Sequence, residues 1–181
     1  MTWASEIAEE VFVDDRRQQL LAAIEAAFHD VELGDGVSLH ESVVIDKHGG
    51  PEDRRTAREL DEKRDWRRLV VDSELARIGG FGGLNFYDAA GLRFHLPAYL
   101  SLAVIDFERY DAGETLEGLM HLLTDFCDYN LSRFNVLDDA QRHCVRDVLL
   151  HLREEYELES VELDQAIGGY WGSGPRAADE G

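Results

Sequence analysis

Cysteine is scarce in this chain, and its cysteines are not spaced as they are in metal or redox sites. The 181 residues include only two, Cys127 and Cys144, which lie far apart and form no CxxC pair. A disulfide framework and a zinc ribbon are therefore excluded as the basis of the fold. We expect two buried free thiols in a reducing compartment, which favours a cytoplasmic location.

Long hydrophobic runs are also lacking. Apolar segments extend for only a few residues, as in Leu100–Ile105, and even that one contains Ser101. A membrane-spanning helix needs about 20 consecutive apolar residues, so none is predicted. The chain opens with MTWASEIAEEVFVDD, which is acidic and lacks the basic start of a secretory signal peptide. Both features again indicate a cytoplasmic protein.

Basic residues are few compared with acidic ones. The sequence holds 18 Lys and Arg against 38 Asp and Glu, a formal net charge of −20. This charge repels nucleic acid and anionic membranes, so neither is an expected partner, and the oligomeric state stays open. The basic residues concentrate in 52–68, where they alternate with acids. Two interpretations remain: a solvated, salt-bridged helix on an acidic protein, or an acidic surface that captures a basic protein.

With only three prolines in the chain, helical periodicity is the dominant pattern, and it is strongest in Leu84–Phe107. Asp88 is placed to cap this helix, and Pro97 is expected to kink or break it. A β-hairpin with strands 84–87 and 92–95 is the alternative for this stretch. The predicted core face recurs at helical spacing, on Leu92, Leu96, Tyr99, Leu100, Ala103, Val104 and Phe107.

The remaining apolar patterns predict a mainly α, single-domain, compact bundle-like fold of six to eight helices. Ser38 with Glu41 and Asp138 with Gln141 have the spacing of capping boxes, the second opening a helix over about 139–156. A further helix is predicted from Pro51 to about Trp66. We divide the chain into an N-terminal extension (1–13), the helical domain (14–171) and a disordered tail (172–181).

Three groups of residues have the chemistry of a site. Asp35 and His40 are weak candidates for metal ligands, because imidazole and carboxylate groups bind divalent metals. Asp61 and Asp65 lie four residues apart on one predicted helical face, a spacing at which paired carboxylates can perform acid–base chemistry. Asp35, Arg93 and Tyr99 are candidates for a binding pocket, as are the carboxylates of Asp61 and Asp65. Cap and salt-bridge roles explain most of these residues equally well, so no catalytic residue, metal or other cofactor is predicted.

Four phrases in this order resemble a family of small bacterial proteins catalogued only as a domain of unknown function. They are LGDGVSLHE (33–41), ARELDEKRDW (57–66), FYDAAGLRFHLPAYL (86–100) and RFNVLDDAQ (133–141). The resemblance covers roughly residues 16–156, and its most specific part is the LPAY core with the preceding RFH. It implies a bacterial cytoplasmic protein, and it carries no activity, substrate or catalytic residue.

Three functional hypotheses follow, of which the least specific is a small-molecule-binding or structural module with no catalysis. The first is a non-enzymatic binding protein whose acidic surface engages a basic partner. The alternative is a metal-assisted or acid–base enzyme that uses a carboxylate and histidine cluster drawn from Asp35, His40, Asp61 and Asp65. The second hypothesis requires these carboxylates to converge in a pocket with Arg93 or Tyr99.

Overall fold

The residues that the structure describes fold mainly into helices, which turns and loops connect. This structure is a computed structural model, and it describes residues 2–5, 14–71, 75, 83–105 and 113–173. No strand occurs in these ranges, which confirms the mainly α prediction. The helices are α1 (Asp15–Ala27), α2 (Leu39–Asp46), α3 (Pro51–Leu60), α4 (Arg67–Val71), α5 (Leu84–Phe86), α6 (Ala89–Ile105), α7 (Gly113–Thr124), α8 (Asp128–Phe134), α9 (Asp139–Glu155), α10 (Val161–Gly168) and α11 (Tyr170–Ser173).

Helix α6 lies at the centre of the fold. Its side chains are buried without interruption from Phe94 to Ile105, as expected for a helix with packing partners on all sides. Helices α1, α4, α8 and α9 pack around it. Two tryptophans farther from α6 in the sequence are fully buried and donate hydrogen bonds to backbone carbonyls. Trp66 Nε1 donates to the carbonyl of Phe28 at 2.9 Å, and Trp171 Nε1 donates to the carbonyl of Leu123 at 2.8 Å.

The alternative β-hairpin at residues 84–95 is wrong, because this stretch is helical on both sides of a short link. Asp88 provides the reason, since its Oδ1 accepts the backbone N–H of Gly91 at 2.7 Å and so caps α6. The same oxygen accepts the N–H of Val37 at 3.0 Å. One carboxylate therefore starts the central helix and ties it to the loop before α2.

Of the kink or break predicted at Pro97, the break is wrong, because α6 runs continuously from Ala89 to Ile105. Pro97 has no N–H for the carbonyl one turn earlier, yet the surrounding helices bury the whole segment and hold it helical. Ser101 adds a hydrogen bond from its Oγ to the Pro97 carbonyl at 2.7 Å.

Helix α3 ends at Leu60, six residues before the end that the sequence predicts. Residues 61–66 instead form a turn around Glu62, whose Oε1 accepts the N–H groups of Lys63, Arg64 and Asp65 at 2.9, 2.8 and 3.2 Å. This local satisfaction of the backbone competes with helix continuation. The turn allows Trp66 to reach the core.

The first and the last described segments of the chain both pack against the rest of the helices. Trp3 meets Trp66 edge to face, with the ring centroids 5.1 Å apart, and Ala4 is buried. Gly172 and Ser173 complete α11, while 6–13 and 174–181, where the predicted extension and tail mainly fall, lie outside the described residues. The division into extension, domain and tail stays a prediction. Within the described ranges, no helix has the length and apolar character needed to cross a membrane.

Candidate functional site

A buried carboxylate, Glu41, joins α2 to α3. Its Oε1 accepts hydrogen bonds from Nε and Nη2 of Arg54 at 3.2 and 2.9 Å, and its Oε2 lies 3.3 Å from Nη1 of Arg58. Arg58 continues to the carbonyls of Gly34, at 2.5 Å, and Gly36. Arg54 and Arg58 of α3 thus hold Glu41, and Arg58 also holds the glycine turn at 34–36, so this cluster is explained by structure alone.

His40 and Asp61 meet at the edge of this cluster. Asp61 Oδ1 lies 2.5 Å from His40 Nδ1, and its Oδ2 accepts the His40 backbone N–H at 2.9 Å. The Asp61 side chain is 3% exposed and that of His40 is 31% exposed. This is the one pair of predicted site residues that the described structure brings into direct contact, although the sequence placed His40 with Asp35 and Asp61 with Asp65.

The other predicted site residues are dispersed. Asp35 is exposed at the glycine turn. Asp65 forms an ion pair with Arg67 at 3.1 Å. Arg93 donates from Nε to Oε1 of Gln141 at 3.2 Å. No group of three or more His, Cys, Asp or Glu suitable for a metal ion occurs within the described ranges, so the pairing of His40 with Asp35 gains no support there.

Tyr99 belongs to a small polar cluster inside the core. Its hydroxyl is 3.4 Å from that of Tyr87, whose ring stacks on His95 with the centroids 4.3 Å apart. His95 Nδ1 lies 2.7 Å from the Gly91 carbonyl. A carbonyl only accepts, so Nδ1 carries the proton. The other ring nitrogen of His95, Nε2, is buried without a hydrogen-bond partner in the described part of the chain.

Burial determines how this cluster titrates. Desolvation raises the pKa of Tyr87 and of Tyr99 well above the ordinary value, with the neighbouring tyrosine contributing at Tyr87. Desolvation also lowers the pKa of His95 to about 4, against smaller raising effects of the Gly91 carbonyl, Asp61 and Asp88. All three side chains are therefore neutral near pH 7, and they stabilise the core rather than present charge to a ligand.

An open groove of about 620 Å³ lies on another face, between α7 and the segment that links α9 to α10. It is lined from α7 by Leu116, Glu117, Met120, His121 and Thr124. The opposite side consists of Tyr156, Leu158, Glu159, Ser160 and Leu163. The lining is mainly apolar. Among the described residues that line it, two are Glu and none is Lys or Arg.

A helix C-cap motif shapes one wall of this groove. Helix α9 ends at Glu155, and Glu157 adopts a left-handed conformation with φ of 49°. The N–H of Leu158 then returns to the carbonyl of Arg153 at 3.0 Å, which is the bond of a Schellman motif. The reversal turns Leu158 back along α9, where it lines the groove beside Tyr156.

Three acidic residues around the groove lack a cationic partner among the described residues. Farther back on α9, Glu154 pairs with Arg16 at 2.7 Å and Glu155 with Arg17 at 2.9 Å. In contrast, Glu117, Glu157 and Glu159 are exposed and form no ion pair with any residue that the structure describes. As far as the described residues go, the rim of the groove is therefore a negative surface without neutralising cations.

Sequence reasoning did not identify the groove as a site. The periodicity of Leu116, Met120 and neighbouring residues indicated only a core face, although Met120 is partly exposed. The available indication was the run from Glu154 to Asp164, which has six acids and no base. Which of these acids lack partners depends on arginines more than a hundred residues away, at positions 16 and 17.

The fold and this groove define a class: an all-helical protein, in its described residues, with an apolar groove bordered by unpaired acids. The chain belongs to the Family of unknown function (DUF6714), whose family model matches residues 16–174. This confirms the resemblance to a domain of unknown function and extends it beyond residue 156. No curated protein and no solved structure matches the chain.

Proposed function

We propose that this protein is a non-enzymatic binding protein whose acidic surface engages a basic partner. The observation that carries the proposal is a division among the acids that follow one another at the end of α9 and just after it. Glu154 and Glu155 are matched by arginines of α1, whereas Glu157 and Glu159 beside the groove are exposed and form no ion pair with a described residue. Unpaired like charges repel one another, and a cationic partner would remove this repulsion on binding.

Co-purification of the native partner tests this proposal. Three forms would be tagged, isolated from the protein's own cells at low ionic strength and analysed by native mass spectrometry. They are the wild type, a rim variant (Glu117→Gln, Glu157→Gln, Glu159→Gln and Glu162→Gln) and a control of equal net charge (Glu32→Gln, Asp35→Asn, Asp46→Asn and Asp139→Asn). All eight side chains are exposed.

We expect one strongly basic protein to accompany the wild type and the control but not the rim variant. The complex should weaken as the salt concentration rises to a physiological value, because the Debye length shrinks to about 8 Å. Equal retention by all three forms, or a partner without excess positive charge, would refute the proposal.

The enzyme hypothesis is supported by one observation, the contact between His40 and the buried Asp61 carboxylate. A carboxylate that orients an imidazole is a common element of acid–base sites. The same contact also ties α2 to the end of α3 through the His40 backbone N–H. If the pair is catalytic, turnover in a substrate screen would vanish in both Asp61→Asn and His40→Gln while the far-ultraviolet circular dichroism stays unchanged. Turnover retained by either folded variant would rule it out.

We further propose that the protein acts in the bacterial cytoplasm. The support is the resemblance described above together with two free thiols, exposed Cys127 and buried Cys144, in the described residues. Free thiols persist in a reducing compartment.

A further inference from the structure

The groove between α7 and the α9–α10 link has the dimensions and chemistry of a site for a helical peptide. From Leu116 to Thr124 its α7 wall advances eight residues, which is about 12 Å, or two helical turns. An amphipathic helix presents apolar side chains at i, i+3, i+4 and i+7 over the same distance. The groove is open rather than enclosed, so a helix can lie along it.

The groove interior supplies apolar contacts for such a helix. Leu116, Met120, Tyr156 and Leu158 are each only partly buried, and they pack on the core without being sealed by it. Beneath them, Leu163 is 1% exposed. Methionine adapts its shape to different partners, and grooves that accept helices often use it.

The charge around the groove selects which helix binds. Glu117 lies on one wall and Glu159 on the other, while Glu157 and Glu162 lie within three residues of Glu159. A helix whose apolar stripe faces the interior would place its flanking side chains against both walls. Lysine or arginine at these flanking positions would meet unpaired carboxylates, whereas acidic side chains would be repelled.

We propose that this groove binds a basic amphipathic helix of the partner protein. The inference rests on the proposed function, and it adds the location of the contact and the pattern of the partner segment. Apolar residues of the helix fill the space among Met120, Leu158 and Tyr156. Its basic residues pair with the glutamates on the two walls.

Two synthetic peptides of identical composition separate pattern from charge. Both contain lysine and leucine, but one has leucine at i, i+3, i+4 and i+7, and the other is scrambled so that no apolar stripe forms. Binding to the full chain would be measured by isothermal titration calorimetry at physiological ionic strength. We expect the patterned peptide to bind at least about tenfold more tightly than the scrambled one.

Variants of the protein locate the contact. Met120→Gln and Leu158→Gln each remove an apolar contact inside the groove, and each should weaken the patterned peptide by about tenfold. Val161→Gln is the matched control, because Val161 is 67% exposed and does not line the groove. It should leave the affinity unchanged. Amide chemical shift changes should concentrate on α7 and residues 156–163.

The possible results distinguish this inference from the proposed function. If both peptides bind equally, and binding depends on the rim glutamates but not on Met120 or Leu158, the acidic surface binds basic chains without the groove. The groove inference is then wrong and the proposed function stands. If neither peptide binds but the rim variant still loses its native partner, the helical pattern is wrong. If the rim variant also keeps the partner, both fail.

Other occupants of the groove give recognisable results that overturn the inference. Occupation by the chain's own C-terminal segment would appear as tighter peptide binding after removal of residues 174–181. Occupation by a second copy would appear as a dimer in sedimentation velocity that Met120→Gln dissociates. A small apolar ligand would appear as extra mass in the native spectrum, lost in the same variant.

Discussion

In the part of the chain that the structure describes, two residues other than glycine adopt left-handed backbone conformations, and both lie at the ends of helices. His48 has φ of 59° after α2, where the N–H of Gly49 returns to the carbonyl of Val44 at 2.8 Å. Glu157 plays the same part after α9. A side chain at this position costs about 1–2 kcal/mol, which glycine avoids.

Replacing His48 by glycine should therefore stabilise the protein. We expect His48→Gly to raise the free energy of unfolding by about 0.5–1 kcal/mol, the relief of strain being partly offset by the entropy of the unfolded chain. Urea denaturation measures the change. Lys47→Gly is the control, because Lys47 has φ of −80° and glycine there should destabilise. A loss of stability in His48→Gly would contradict the argument.

His95 should make the protein sensitive to acid. Its pKa falls from 6.5 to about 4 on folding because burial disfavours the imidazolium. Below pH 6.5 the unfolded chain gains a proton that the folded chain does not bind, so stability is lost as the pH falls from 6.5 towards 4. Between pH 7 and pH 5 this group alone should reduce the free energy of unfolding by about 2 kcal/mol.

A non-titrating variant isolates this effect. His95→Asn retains an N–H near the position of Nδ1, where it can donate to the Gly91 carbonyl, and it cannot gain a proton. Urea denaturation at the two pH values should show a pH dependence smaller by about 2 kcal/mol than in the wild type. His151, whose pKa is also lowered by burial and then by Arg16 and Arg17, contributes equally to both proteins. An unchanged pH dependence would show that His95 is not the sensitive group.

At the scale of elements, the loop before α2 and the first turn of α6 approach without room for a side chain. A Cβ atom on Gly91 would lie 2.4 Å from the carbonyl oxygen of Val37, and one on Gly36 would lie 2.5 Å from the Gly91 nitrogen. Both neighbours are backbone atoms, which cannot rotate away. Asp88 Oδ1 accepts hydrogen bonds from both segments that meet here, from the N–H of Val37 in the loop and from the N–H of Gly91 in α6.

Gly91→Ala should therefore separate the loop from α6. We expect a loss of about 1–3 kcal/mol in the free energy of unfolding, the usual cost of overpacking, despite the better helix propensity of alanine. Gly168→Ala is a suitable control because a Cβ there meets no atom within 4 Å. Thermal unfolding followed by circular dichroism would measure both. Equal melting temperatures for the two variants would refute the close approach.

Helix boundaries show how far local sequence determines this structure. Helix α9 is predictable because Asp138 and Gln141 cap it and its apolar face is regular, and Asp138 Oδ1 does accept the Gln141 N–H at 2.9 Å. The continuity of α6 at Pro97 is not predictable from local sequence, because local rules favour a kink or break at proline. Burial by the four helices that pack around α6 opposes that local preference. Tertiary packing outweighs local preference at that residue.

The candidate site was harder to predict than the helices, because each of its contacts joins distant parts of the chain. His40 and Asp61 were both singled out, but their pairing depends on α3 ending at Leu60 rather than at Trp66. The groove needs α7 beside α10, and its charge needs Arg16 and Arg17 to neutralise the other acids of α9. No short-range pattern encodes either arrangement.

At the scale of the whole molecule, a net charge of −20 imposes a cost on the folded state, because folding brings like charges together. The arginines limit this cost where they form pairs, as at Glu41, Glu154 and Glu155. They do not limit it around the groove. Glu117 and Glu159 lie on the two walls of an apolar groove without a cationic partner among the described residues, and the basic partner proposed above would relieve their repulsion.

The rim variant, which lacks the negative charges of Glu117, Glu157, Glu159 and Glu162, should therefore be more stable than the wild type at low ionic strength. The control variant changes the net charge by the same amount at scattered positions and should gain less. Added salt should reduce the gain in stability of both variants over the wild type, because dissolved ions then screen the carboxylates that the wild type retains. Differential scanning calorimetry across a salt series measures the melting temperatures. If the rim variant melts no higher than the control at low salt, the carboxylates around the groove do not repel one another, and the electrostatic reason for expecting a basic helix there is removed.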